Sequence, residues 1–287
     1  MLTKKNTNRF DLEGIKLLSD INNQTLEILN SHESIRRFKV DQLPEGTLKA
    51  ILTSARSAST SSNLHTYSII IVTDKEQKDR LASLAGDQNF IREAPVFLVF
   101  CADLYRVKYV TERQNYEFLG DNLEMFITAV VDSALALQNA TIAAESLGLA
   151  TVPVGAVRNN VEEFSNLLGL PERVLAVAGL AVGYEQEGAR RGIKPRLPED
   201  VLIHHERYST EHLEKGLLEY DELMSSLRTY DGRRISILGN VVDDDQIVYG
   251  WCEHTARRCN RPETISPAAS LRNELKQTLE KRGFFIG

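Results

Sequence analysis

Between Asp121 and Leu147 the chain carries its strongest periodic signal, and this segment limits the architectures open to it. Leu123, Phe126, Ile127, Val130, Val131, Ala134 and Leu135 recur at three- and four-residue spacing, which predicts one broad apolar face of a single helix. Gly148 supplies the stop. At ~1.5 Å per residue the helix is roughly 40 Å long, more than one small core needs. Two packings would cover it: an interface between two copies of the chain, or the buried centre of a monomer.

The flanking segments alternate. Thr25 to Asn30 reads as the end of a helix, and Pro44 to Ala58 as another, with Leu48, Ile51, Leu52 and Ala55 on one stripe. Ser68 to Thr73 is β-branched and apolar, a buried strand, and helix Lys75 to Leu84 follows. Val96 to Ala102, after Pro95, is a second strand, and Ala150 to Val157, with Gly155 near its end, a third. A helix over Val161 to Leu168 leads to a fourth strand, Val174 to Val182. Gly188 to Pro198, rich in Gly, Pro and basic residues, reads as an ordered loop. Glu211 to Leu227 and Ser270 to Arg282 look helical, while Gly232 to Pro267 is poorly patterned. Helices outweigh strands, so the expected class is α+β.

Composition and missing motifs exclude several functions. With 42% hydrophobic and 26% charged residues in 287, the chain is an ordinary globular one. A net charge of −6 argues against coating nucleic acid, which draws on clustered Lys and Arg. There is no Walker loop, no G-x-G-x-x-G after a strand and no G-x-S-x-G elbow. The histidines are scattered apart from His204-His205, and Asp243-Asp244-Asp245 reads as a solvated acidic loop, so no metal site is expected. Cys101 lies in an apolar run and should be a reduced core residue. Cys252 and Cys259 lack a second pair for zinc, which fits a reducing, cytoplasmic compartment. Met1 to Asp20 carries Lys4, Lys5 and Arg9 without an apolar stretch, so no secretory signal is expected. The longest nearly uninterrupted apolar stretch, Val174 to Tyr184, is about half the ~20 residues of a membrane helix, and no membrane partner is expected.

Four polar clusters stand at the ends of these elements: His32, Ser34 and Arg36; Ser59-Thr60-Ser61-Ser62-Asn63; the Gly155 turn; and Lys194-Pro195-Arg196. Together they offer cations, hydroxyls and backbone N–H groups of the kind a dianionic phosphate with a polar ring requires. Each alone is more often a helix cap or a solvated loop.

Their order is more specific. H-x-S-I-R-R-F is followed by S-T-S-S-N-L, then L-A-G-D-Q-N-F-I-R-E-A-P-V-F-L-V-F-C-A-D-L, A-A-E-S-L-G-L, V-G-A-V-R-N-N and K-P-R-L-P. From about Ser31 to Tyr220 the chain thereby resembles the oxygen-insensitive NADPH nitroreductase and flavin reductase family, its major nitroreductase branch in particular. The resemblance implies a nitroreductase-like α+β fold, a mixed sheet flanked by helices, in an intertwined homodimer with FMN at the interface. Residues 1–30 would be an N-terminal extension and helix. Residues 31–220 would form the FMN-binding core, and 221–287 an extension that embraces the partner and carries the nicotinamide.

The same resemblance implies roles. His32 and Ser34 would contact the flavin phosphate, with Glu33 contributing through its backbone because the family usually has a basic residue there. Arg36 would lie by the pyrimidine edge of the ring. Thr60, Ser61 and Ser62 match the family's serine run, and Gln88 its ring-contacting glutamine. Gly155 and Ala156 match the turn that offers backbone N–H groups to the ring, and Lys194 and Arg196 the phosphate clamp. Arg228, Arg233 or Arg234 would meet the NADPH 2′-phosphate, with NADH the other possible donor. His65 stands where Gln is common, and Pro153 where an aromatic is, so substrate preference is open. The implied activity is ping-pong transfer from NAD(P)H through FMN to small acceptors such as nitroaromatics and quinones. It calls on no protein acid, base or nucleophile. The alternatives are a flavin or ferric reductase of the same fold, or a slow-turnover flavin-binding sensor.

Overall fold

The architecture is that of a computed structural model, which describes residues 8–13, 21, 23–190, 192–235, 248–260 and 275–284. The acidic run at Asp243, and residues 236–247 and 261–267 of the poorly patterned 232–267 stretch, lie outside these residues. In chain order the helices are α1 (Arg9–Glu13), α2 (Gln24–Ser31), α3 (Thr47–Arg56), α4 (Lys75–Leu84), α5 (Asn89–Glu93), α6 (Tyr105–Arg113), α7 (Leu123–Ser146), α8 (Val161–Leu167), α9 (Glu199–Leu202), α10 (Leu213–Ser226), α11 (Trp251–Cys259) and α12 (Leu275–Lys281). The strands are β1 (Tyr67–Val72), β2 (Val96–Asp103), β3 (Ala150–Val154) and β4 (Val174–Gly183).

The chain divides into two compact units. The first is built mainly from Lys16–Ile193 and takes in Leu271–Gly287, and the second is Lys194–Ser270 with Leu12–Ile15. The expected boundary at residue 220 falls inside α10, a continuous helix, and the division instead precedes Lys194.

In the first unit the four strands form one sheet in the order β1-β2-β4-β3. Every pairing is antiparallel, so the expected mixed sheet is corrected to an antiparallel one within the described chain. All eight residues of β2 are buried, because it has strands on both edges and helices on both faces. Its side chains alternate between two cores, as the two-residue period of a strand requires. Phe97, Val99 and Cys101 join Leu81, Ile91 and Phe164 of α4, α5 and α8 on one face. Leu98 and Phe100 join Ile51 of α3 and Ala136, Ala140 and Ala144 of α7 on the other. Cys101 is a free, fully buried thiol, and burial pushes its pKa up to about 12.

Helix α7 is capped by Asn122, whose Oδ1 accepts the Met125 N–H at 2.9 Å, and it stops before Gly148 at φ +75°. Its faces differ from the reading of the sequence. The buried face consists of Ala129, Asp132, Ser133, Ala136, Leu137, Ala140, Thr141 and Ala144. Leu123, Ile127, Val131 and Leu135, four of the residues that mark the apolar face in the sequence, are 50, 48, 49 and 42% exposed. The physical reason is close approach: small side chains let the helix sit against β2, β4 and α3, while Leu123, Ile127, Val131 and Leu135 point away.

A similar fit occurs in the sheet. A Cβ built on Gly179 of β4 would stand 2.4 Å from Cζ of Phe97 and 3.2 Å from Cγ1 of Val157. Gly179→Ala should therefore destabilise the protein by about 1–3 kcal/mol. At this chain length that lowers the melting temperature by roughly 2–4 °C per kcal/mol. An unchanged melting curve would mean that the Phe97 ring can move aside freely.

Candidate functional site

Residues 32–38 run along the free edge of the sheet, beside β3. The Ile35 N–H donates to Thr151 O at 2.9 Å, and Phe38 bridges to Glu185 beyond β4. Ile35 and Phe38, 1 and 4% exposed, plug the segment into the core. Ser34 and Arg36, the neighbours of Ile35, are left outward, half-buried and exposed respectively. Arg37 donates from Nη2 to Glu187 O at 3.2 Å.

At the start of β3 a compact polar cluster forms. His32 Nδ1 donates to Glu145 Oε1 at 2.7 Å, and the same oxygen accepts Thr151 Oγ1–H at 2.7 Å. His32 Nε2 lies 3.4 Å from Ser34 Oγ, so Glu145 orients the imidazole with its second nitrogen on the Ser34 side. The Glu33 carboxylate is used differently: its Oε1 accepts the Gly192 N–H at 2.9 Å.

At the far end of β3, four residues or about 13 Å away, Gly155 and Ala156 open a short 3-10 turn. Gly155 is exposed and Ala156 half-buried, and Ala156 O accepts the Asn159 N–H at 2.9 Å. Gln88 meets this region over Gly86: a Cβ on Gly86 would lie 3.2 Å from Asn159 Nδ2 and 3.8 Å from Gln88 Nε2. Arg92 braces that turn, with Nη2 donating to Asp87 Oδ1 at 2.5 Å and to Ser83 Oγ at 3.0 Å. Pro153, which has no N–H to donate, is tolerated because β3 is an edge strand.

The hydroxyl-rich turn containing Thr60, Ser61 and Ser62 is strained. Ser62, Asn63 and His65 have φ of +47, +58 and +53°, in the left-handed region that non-glycine residues rarely adopt. Asp132 of α7, 1% exposed, lies beneath it. Its Oδ1 accepts the Ser61 N–H at 2.9 Å, and its Oδ2 accepts the Thr66 N–H at 3.1 Å and Oγ1–H at 2.7 Å. On the other side, Arg106 Nη1 donates to His65 O at 2.7 Å and Tyr67 O at 3.2 Å. With the Ser61 N–H taken, Ser61 has its hydroxyl to offer a ligand.

The second unit holds the remaining expected residues. Lys194 and Arg196 are exposed on either side of buried Pro195, whose carbonyl accepts Tyr220 Oη–H at 3.2 Å. Arg228 pairs with Asp231 (Nε–Oδ2 2.6 Å), Arg233 is exposed, and Arg234 stacks over the Tyr249 ring with Cζ 4.8 Å from its centroid. The phosphate roles of these five cations stay readings of the resemblance. Among the described residues no group of three or more His, Cys, Asp or Glu is placed to hold a metal.

Reading the sequence singled out His32 and Ser34 but missed Glu145, Thr151, Asp132, Arg106, Arg92 and Asn159. Asp132 had a visible signal, as a lone acid within the apolar run from Ile127 to Leu137. The others are ordinary polar residues whose partners are distant in the chain.

With this geometry in place, comparison with known proteins is direct. Residues 29–184 match the Nitroreductase family, and residues 194–286 match the Nitroreductase family, C-terminal domain. The chain is 35% identical over 275 residues to the FMN reductase (NAD(P)H) of Bacillus subtilis (strain 168), covering 92% of this chain and 99% of that protein. Among solved structures, NfrA2 of B. megaterium superposes with a TM-score of 0.80 at 32% identity, covering 93% of this chain and all of the other. The NADPH:FMN oxidoreductase of Vibrio harveyi complexed with NAD+ gives 0.76 at 29% identity, covering 91 and 98%. The protein belongs to the nitroreductase family.

Proposed function

We propose that the protein binds FMN along the free edge of its sheet and uses it to pass electrons from NADPH or NADH to small acceptors such as nitroaromatics and quinones. The observation that carries this reading is the pair of clusters at the two ends of β3, in a chain similar along 92% of its length to an FMN reductase. One end holds an oriented imidazole and, beside it, a hydroxyl that can donate to a phosphate. The other holds the exposed glycine turn and the amide of Gln88, suited to the polar edge of a flat ring.

When bound, FMN supplies the two-electron chemistry between nicotinamide and acceptor. The protein's own residues bind and orient. Glu145 fixes the His32 ring, and Ser34 adds a hydroxyl beside it. Arg36, outward from the buried Ile35, brings a cation to the pyrimidine edge, where it stabilises negative charge. Thr60, Ser61, Ser62, Gln88, Gly155 and Ala156 complete the set. A second reading, reduction of free flavin, is favoured by the name of the Bacillus subtilis relative. Competition among nitrofurazone, a quinone and free FMN separates the two.

The uncovered stripe of Leu123, Ile127, Val131 and Leu135 supports a homodimer through α7. By length and composition alone α7 could cross a membrane. Its alanine face on the sheet and the bonds of Asp132 to the 61–66 turn tie it into the core instead. Three free cysteines support the reading of a reducing, cytoplasmic setting.

Purified protein should be yellow, with about one FMN per chain by absorbance after denaturation. Protein that stays colourless after incubation with FMN would overturn the reading. Glu145→Gln should weaken FMN binding about three- to tenfold in a fluorescence titration, by loosening the His32 ring. An unchanged affinity would place the phosphate elsewhere. Val131→Glu should shift sedimentation from twice the 32.3 kDa chain mass towards the monomer, whereas a wild-type monomer at micromolar concentration with flavin bound would rule out the α7 interface.

A further inference from the structure

We propose that Asp132 is a positioning residue for the cofactor: it holds the 60–66 turn in the strained conformation that presents Thr60, Ser61 and Ser62 to the flavin. The inference rests on the FMN reading above and goes beyond it, because the carboxylate itself faces backbone and Thr66, not the ligand side.

Three observations carry it. First, a buried carboxylate is costly unless donors satisfy it, and Asp132 at 1% exposure has three, all from the two ends of this one turn. Second, the turn contains three left-handed non-glycine residues within four positions, a conformation that persists only where surrounding groups impose it. Third, Asp132 sits on the most firmly seated part of α7, flanked by Ala129, Ser133 and Ala136, all fully buried. The carboxylate thus transfers the rigidity of the helix to an otherwise exposed loop. Arg106 holds the His65 carbonyl, so the C-terminal end of the turn, which Asp132 grips through Thr66, has a second support.

The test compares FMN dissociation constants of wild type, Asp132→Asn, Thr66→Val and Asp132→Asn combined with Asn63→Gly, all well below their melting temperatures. Asp132→Asn should weaken FMN about tenfold or more, and Thr66→Val, which removes one donor and keeps the shape, about threefold to tenfold. Asn63→Gly should restore part of the lost affinity, about threefold, because glycine adopts positive φ without steric cost. A purely structural role would lower melting temperature while leaving all FMN affinities equal and giving no rescue, and that result overturns the proposal. Should Asp132→Asn fail to fold, Thr66→Val with and without Asn63→Gly decides on the same criteria. Failure of the wild type to bind FMN is a separate result, which sinks the functional reading itself.

Discussion

Helix α7 can lie close against β2, β4 and α3 because the residues it turns towards them are small: Ala129, Ser133, Ala136, Ala140 and Ala144. Much of the site depends on that seating. A helix held at short distance by many small contacts is a stiff beam, and two carboxylates project from it to support separate parts of the site. Asp132 reaches the serine turn, and Glu145, near the helix end, reaches His32 and Thr151. The same seating leaves Leu123, Ile127, Val131 and Leu135 of α7 outside although its core side is filled.

A consistent arrangement emerges around the sheet edge. Three of the segments expected to meet the ligand are loops braced by a charged side chain from a regular element or its margin. Glu145 braces 32–34, Asp132 and Arg106 brace 61–67, and Arg92 braces 86–89. Such bracing fixes ligand-contacting groups before the ligand arrives, so less ordering entropy is lost on binding. Of the eight described non-glycine residues with positive φ, four, Ser62, Asn63, His65 and Asp87, lie in these braced turns.

The sequence alone was informative where one signal dominated. Strand β2 is buried on both faces, so its continuous apolar run was readable, and helix α4 has the expected bounds, capped by Asp74 Oδ1 on the Gln77 N–H at 2.7 Å. Helix α6 was invisible because six of its nine residues are exposed and none is buried, which leaves no stripe to detect. Helix α11 was hidden in a stretch without periodic pattern. For α7 the apolar stripe was legible, but the small-residue face that seats the helix on the sheet was not, because hydrophobicity ranks Leu and Val above Ala, whereas close packing ranks them by size. Within the site, the ordered motifs pointed to His32 and Ser34. Their supports escaped because Glu145 is 113 residues from His32, and Asp132 is 71 from Ser61. Local patterns do not encode a hydrogen bond over such separations.

The central claim is that electrons pass through a resident flavin, and an anaerobic half-reaction tests it most directly. NADPH, and separately NADH, would be mixed with the holoprotein in the absence of any acceptor while the flavin absorbance is followed. The account predicts that the yellow absorbance bleaches by about one equivalent of nicotinamide per flavin, and returns when nitrofurazone is added after the nicotinamide has been removed. Absorbance that changes only when donor and acceptor are present together, or that does not respond to either nicotinamide, would contradict it.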